Sequence, residues 1–114
     1  MLWRIRDRTT FEALRRSGKR ARRGSVTVTY LLDAEAPVPR VAYAVGKRVG
    51  NAVVRNRLRR RLRAAAGEAQ GPDRALAPGA YLISVGPAAG SLTYEELKRE
   101  VAAAMTAACG TPTP

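Results

Sequence analysis

Apolar and polar positions alternate with a period of two in three stretches of the chain, and they recur at helical spacing in three others. Ser25 to Leu32 sets Val26, Val28 and Tyr30 against Thr27, Thr29 and Leu31, the pattern of a strand that buries one face. Arg40 to Val45 alternates again, with Val41, Tyr43 and Val45 on one side and small Ala42 and Ala44 on the other. Gly79 to Val85 brings Tyr81, Ile83 and Val85 to one face. The first two of these strands are predicted to pair antiparallel, joined by the proline-bearing link Asp33 to Pro39.

The helical stretches carry start and stop signals. Thr9 and Glu12 have capping-box spacing, Phe11 and Leu14 are apolar and Gly18 ends the turn, which predicts a short helix over residues 10–17. After Gly50, Asn51 is placed to cap a second helix. Steps of roughly 100° per residue gather its Val54, Leu58, Leu62 and Ala65 into one stripe that docks on the sheet. Gly67 to Pro78, rich in Gly, Pro and Ala, reads as a mobile loop. The last helix starts at Thr93, three residues before Glu96, and its Leu97, Val101, Ala104, Met105 and Ala108 form a core stripe. The order is helix, strands, helix, strand, helix, with residues 1–108 as a single α/β domain and 109–114 as a disordered tail.

Charge changes the picture. The chain of 114 residues has 21 Lys plus Arg against 9 Asp plus Glu, a formal net charge of +12. A field of that sign asks for a polyanion as partner. No segment has the apolar length of a spanning helix and no start resembles a signal peptide, so a cytoplasmic protein that binds nucleic acid and no membrane is expected.

The charge is concentrated. Eight bases and no acid lie between Lys47 and Arg63. On the second helix, Asn56, Arg60 and Arg63 project opposite the apolar stripe, Arg57 and Arg59 flank them, and Arg55 and Arg61 sit beside the buried edge. Like charges at these spacings repel by a few tenths of a kcal/mol per pair, so the face is relieved only by anions. Arginine suits phosphate because its planar fork binds two oxygens and also stacks on bases. A second basic run, Arg15 to Arg23, reads equally as a phosphate contact or as a solvated loop.

Bond chemistry by the chain itself is not expected. It has no His, so imidazole acid–base catalysis and a Cys/His pair are excluded, and the lone Cys109 reads as an inert thiol. The acids are scattered, which leaves no carboxylate cluster for metal ions and no catalytic residue to name. Gly46-Lys47-Arg48-Val49-Gly50 lacks the Lys-Ser/Thr that completes a nucleotide-binding loop.

The run Lys47-Arg48-Val49-Gly50-Asn51-Ala52-Val53-Val54-Arg55-Asn56-Arg57-Leu58-Arg59-Arg60 resembles the signature of the bacterial ribonuclease P protein component, whose core is an Arg-Asn-Arg box. The likeness extends to Ile5, Phe11 and Gly18, to the strands, and to Leu92-Thr93-Tyr94-Glu95-Glu96. It implies a two-layer sandwich of a small mixed sheet with three helices, similar to the second domain of ribosomal protein S5. In that fold the arginine-rich helix is a left-handed βαβ crossover.

The resemblance also implies a partnership with a catalytic RNA. That RNA, with Mg²⁺ bound mainly by itself, would hydrolyse the bond before the mature tRNA 5′ end, and no protein partner would be required. Arg55, Asn56, Arg57 and Arg60, with neighbouring Arg59 and Arg63, would face the RNA subunit. Phe11, Arg15, Lys47, Arg48 and Tyr30 would line the cleft for the 5′ leader of precursor tRNA. Arg15 stands where many relatives have a second aromatic. Ungapped counting puts the family's strand aromatic on Thr29, which leaves Tyr30 on the opposite strand face unless a bulge intervenes. Charge, size and an arginine helix would equally suit a structural RNA-binding protein such as a ribosomal protein; the long signature favours the processing enzyme.

Overall fold

Residues 3–33, 38–69 and 77–108 are described by the structure, a computed structural model. The strands are β1 (Trp3–Arg4), β2 (Lys19–Arg23), β3 (Val26–Leu32), β4 (Pro39–Val45) and β5 (Gly79–Val85), and the helices are α1 (Arg8–Ser17), α2 (Ala52–Ala69) and α3 (Tyr94–Ala108). Short 3-10 turns follow β4 at Lys47–Val49 and β5 at Pro87–Ser91. Much of the predicted 33–39 link, of the 67–78 loop and all of the 109–114 tail lie outside the described residues.

One mixed sheet of five strands has the order β1-β4-β5-β3-β2. The expected direct pairing of β3 with β4 is therefore corrected, because β5 lies between them, antiparallel to β3 and parallel to β4. The reason is visible in β5 itself. A strand covered on both faces is apolar on both, and β5 carries Ala80 and Leu82 on one and Tyr81 and Ile83 on the other, whereas β3 sets half-buried Thr27 and Thr29 on its second face. Helix α2 is the crossover between the parallel neighbours β4 and β5, as the resemblance implied.

Two apolar clusters divide the interior at the sheet. On one face, α2 and α3 bury Leu58, Leu62, Ala65, Leu97, Val101, Ala104 and Met105 against Val26, Val28, Val41, Tyr81 and Ile83. On the other face, α1 lies alone and its Leu14 packs with Ile5, Ala42 and Ala80. The α/β sandwich with three helices is thus the fold found, its main layer being α2 with α3.

Local chemistry explains the boundaries. Helix α1 starts two residues earlier than predicted, capped by Asp7 in place of Thr9: the Asp7 carboxylate accepts from the Thr10 N–H at 2.9 Å. Arg40 of β4 donates to Asp7 at 3.0 Å and to Thr10 Oγ1 at 3.1 Å, tying the helix start to the sheet. Hydrogen bonds from Thr10, joined by the Arg40 contact, hold the Asp7 carboxyl below its ordinary range. At the other end, a Cβ on Gly18 would stand 2.4 Å from the Leu14 carbonyl oxygen and 2.8 Å from Thr29 Cγ2, so only glycine fits where the chain turns from α1 into β2. The α3 capping box is as expected, with Thr93 N donating to Glu96 at 2.9 Å and Glu96 N to Thr93 at 3.1 Å.

Helix α2 runs two residues past the predicted loop start at Gly67. Its last turn is captured by α3: Glu68 accepts from Tyr94 and pairs with Lys98 at 3.2 Å. That hydrogen bond pushes the Tyr94 phenol up to about 12 and draws Glu68 down.

Lys19–Arg23, part of the Arg15 to Arg23 run that reads from sequence equally as a phosphate contact or a solvated loop, is an edge strand. It has little apolar patterning because only Ala21 points into the core. Its pairing comes from the two-residue turn Gly24-Ser25, where Gly24 takes φ 62. Glu100 of α3 anchors that turn, accepting from both the backbone N–H and the hydroxyl of Ser25 at 2.9 Å. Charged side chains along an open edge also deter pairing with other chains. Glu100→Ala should therefore cost about 1–3 kcal/mol of stability in urea unfolding, because two half-buried donors lose their acceptor. Glu100→Gln, which keeps an acceptor, should cost less; equal stability of Glu100→Ala and wild type would show that the turn needs no anchor.

Candidate nucleic-acid interface

The arginine face of α2 is built by the stripe beneath it. Asn51 Oδ1 accepts from Val54 N–H at 3.0 Å and fixes the helix start. Leu58, Leu62, Ala65 and Ala66 are buried and Val54 packs at the edge of the same core. The helical repeat then leaves Asn56, Arg57, Arg60 and Arg63 exposed, with Arg55, Arg59 and Arg61 half-buried along the flanks, as the projection predicts.

Val53, Asn56, Arg59, Arg60 and Arg63 line a shallow concavity of ≈ 430 Å³ on this face. Asn56 is not a bystander there, since its Oδ1 accepts a hydrogen bond from Arg59 Nη1 and so directs one guanidinium. Val53 is 72% exposed, an apolar spot among cations that sequence projection did not single out. The Nε of Arg55 is buried and has no hydrogen-bond partner among the described residues. The ion pairs found among the described residues join Asp7 to Arg40 and Lys98 to Glu68 and Glu95, so no described carboxylate pairs with the arginines of α2.

A second concavity lies across the sheet. A groove of ≈ 410 Å³ runs between α1 and the open sheet face, lined by Phe11, Leu14 and Arg15 from α1, Arg20 from β2, Thr27 and Thr29 from β3, and Leu82 and Ser84 from β5. The register explains its floor: Arg20, Thr29 and Leu82 are successive cross-strand partners, as are Arg22, Thr27 and Ser84. Phe11 is half-buried, leaning on the Leu14 cluster while lining the groove, so packing and an exposed ring surface coexist.

The residues expected in a cleft are thus only partly brought together. Phe11 and Arg15 line the groove. Tyr30 does not, and its assignment to the cleft is corrected: β3 pairs with β5 residue by residue from Val26 to Leu32 without a bulge. Tyr30 therefore faces α2 and α3, stacked on Tyr81 with ring centroids 6.5 Å apart. Thr29 holds the groove position instead. Lys47 and Arg48 are exposed on the 3-10 turn after β4, off the groove lining; the register sets the end of β4, Val45, beside Val85, one residue past Ser84 of the groove. Arg20, Thr27, Thr29 and Ser84 were missed as lining residues, although the alternation of the strand that includes Thr27 and Thr29 put both on the face away from the core.

The acids serve structure. Asp7, Glu68, Glu96 and Glu100 are engaged at helix starts, turns and the α2–α3 contact. No three of the described Asp and Glu side chains come together as metal ligands. No described helix is long and apolar enough to cross a membrane.

Comparison with known proteins identifies the family and the fold. The family model for ribonuclease P matches residues 2–109. The ribonuclease P protein component of Micrococcus luteus is 39% identical over 112 residues, covering 90% of this chain and 84% of the relative. That of Thermobifida fusca is 36% identical over 112 residues, covering 91% and 74%. Among solved structures, the Staphylococcus aureus RNase P protein superposes with a TM-score of 0.81 at 18% identity over 95% of this chain and 96% of that one. The Thermotoga maritima RNase P protein gives 0.75 at 16% over 96% and 98%. Those structures share the fold, and the sequence match over nearly the whole length goes further: the chain belongs to the ribonuclease P protein family.

Proposed function

We propose that the two concavities divide the work of one ribonucleoprotein, the arginine face of α2 docking on the catalytic RNA and the α1 groove holding the 5′ leader of precursor tRNA. As a ribonuclease P protein, the chain is a subunit of the endonuclease holoenzyme that matures tRNA 5′ ends. A ribosomal or other purely structural role is not favoured for a chain of this family.

The observation that carries the division of labour is the acid-free arginine face. Holding Arg57, Arg60 and Arg63 unneutralised on one side costs a few tenths of a kcal/mol at each close pair, a cost that an RNA backbone relieves by supplying phosphates along a line. Arg55 and Arg59 fit at the flanks of that contact, and Asn56 fits as the residue that aims Arg59. Lys47 and Arg48, at the end of the sheet beyond Ser84, are suited to the stretch of substrate backbone between the groove and the helix.

In the groove, the half-exposed ring of Phe11 offers a stacking surface for one leader base, which any base can use. Arg15 adds a guanidinium beside it. Mg²⁺ is assigned to the RNA subunit, because the described carboxylates gather into no set of three ligands. Hydrolysis of the phosphodiester bond is likewise assigned to the RNA; the protein's contribution is to bind and orient the substrate.

Purified protein alone should leave precursor tRNA intact, and adding a ribonuclease P RNA with Mg²⁺ should give cleavage at the mature 5′ end. Correct 5′ processing by protein rigorously freed of RNA would overturn the assignment. Phe11→Ala should weaken holoenzyme binding of precursor tRNA by about 1–3 kcal/mol while sparing leaderless tRNA. Its melting temperature should fall modestly, since the ring is only half-buried. Equal losses for both tRNAs, with a stability cost near the roughly 3–5 kcal/mol of a truncated core aromatic, would make Phe11 a packing residue only.

A further inference from the structure

The leader groove has two walls of different origin, and each carries one uncommitted guanidinium. Arg15 comes from the last turn of α1, and Arg20 from the edge strand β2, directly across from Thr29 on the floor. Among the described residues neither arginine makes a hydrogen bond or ion pair. The contrast with their neighbour is instructive: Arg22, two residues on, gives its Nε–H to the Gly24 carbonyl at 3.1 Å and so serves the hairpin turn.

No described carboxylate lines this groove. Asp7, the acid that starts α1, is occupied by Thr10 and Arg40. The floor between the two arginines offers Thr27, Thr29 and Ser84, whose hydroxyls are uncharged. Two like charges facing one concavity without a counter-charge form a site for an anion. Forked guanidiniums approaching from two sides match the two non-bridging oxygens of a phosphodiester.

Resting on the reading of this groove as the leader site, we infer that Arg15 and Arg20 form a two-walled clamp for one phosphodiester of the leader. The clamp is a phosphate subsite beside the Phe11 stacking surface, with Arg20 its previously unassigned half. Leader binding by this chain then has two separable parts, a stack that ignores salt and a clamp that does not. The β2 edge is basic for recognition as well as for protection of the sheet.

The test uses the reconstituted holoenzyme, with affinities for precursor tRNA and for leaderless tRNA measured across a salt series. Arg20 is exposed on an edge strand, so Arg20→Ala should fold as wild type. It should weaken precursor binding roughly tenfold, the loss of one charged hydrogen-bonding group. It should also lower the log–log salt slope by about 0.7, the value for one single-strand phosphate contact, and leave leaderless tRNA unaffected. Arg20→Lys should restore the slope and only part of the affinity. Replacing one leader phosphate at a time by a neutral methylphosphonate should find one position that weakens wild type but not Arg20→Ala. An unchanged slope in Arg20→Ala, while Phe11→Ala still discriminates against the leader, would overturn the clamp and leave the groove reading standing. If neither variant discriminates between the two tRNAs, the groove reading itself fails. Equal weakening of both tRNAs by Arg20→Ala would move the phosphate to the RNA subunit and overturn the leader assignment.

Discussion

The burial of one side of α2 against the sheet is the constraint on which the rest depends. Leu58, Leu62, Ala65 and Ala66 lock the helix rotationally, so its arginines have a single available direction. Burying such side chains is worth roughly 1.5–3 kcal/mol for each leucine, enough to outweigh the few tenths of a kcal/mol lost at each close pair of like charges. A solvated helix with the same sequence would turn its cations every way; here they become a rigid surface. Because α2 is also the crossover between β4 and β5, the same packing fixes the central strand, and β5 in turn supplies Leu82 and Ser84 to the groove on the far face.

Charge is distributed by the same logic. The few acids are used where the backbone needs them: Asp7 at the start of α1, Glu96 at the start of α3, Glu100 at the β2–β3 turn, Glu68 at the α2–α3 contact. Each is held by donors from the chain itself, which removes it from competition with phosphate. Among the described residues the two concave basic surfaces are consequently left without an ion-paired carboxylate, and both sides of a thin sheet present a field suited to a polyanion.

Much of this was legible in the sequence because it depends on local periodicity. The period-two alternation at Val26 to Leu32, the Thr93/Glu96 box and the Leu58/Leu62 stripe all state a burial pattern directly. The order of strands was not legible, since a pairing preference between β3 and β4 or β5 depends on which strand must be apolar on both faces, a property of the assembled sheet. Strand β2 was hidden because an edge strand tolerates four bases in five residues, leaving only Ala21 as a core signal. Tyr30 reached the cleft only through the resemblance and on condition of a bulge; the unbroken β3–β5 register sends it to the core and gives the groove position to Thr29, where ungapped counting put the family's strand aromatic. Arg20 was unreadable as a groove residue for as long as its strand was hidden.

The central claim is that opposite faces of one sheet meet different RNAs, and tethered cleavage tests it most directly. In a Cys109→Ser background, an iron–EDTA group attached at Val53→Cys on the α2 face or at Thr27→Cys in the groove generates hydroxyl radicals that cut nearby backbone in the assembled holoenzyme with precursor tRNA. Cuts from position 53 are predicted in the RNA subunit and cuts from position 27 in the 5′ leader. Leader cleavage from position 53, or cleavage from position 27 confined to the RNA subunit, would contradict the division.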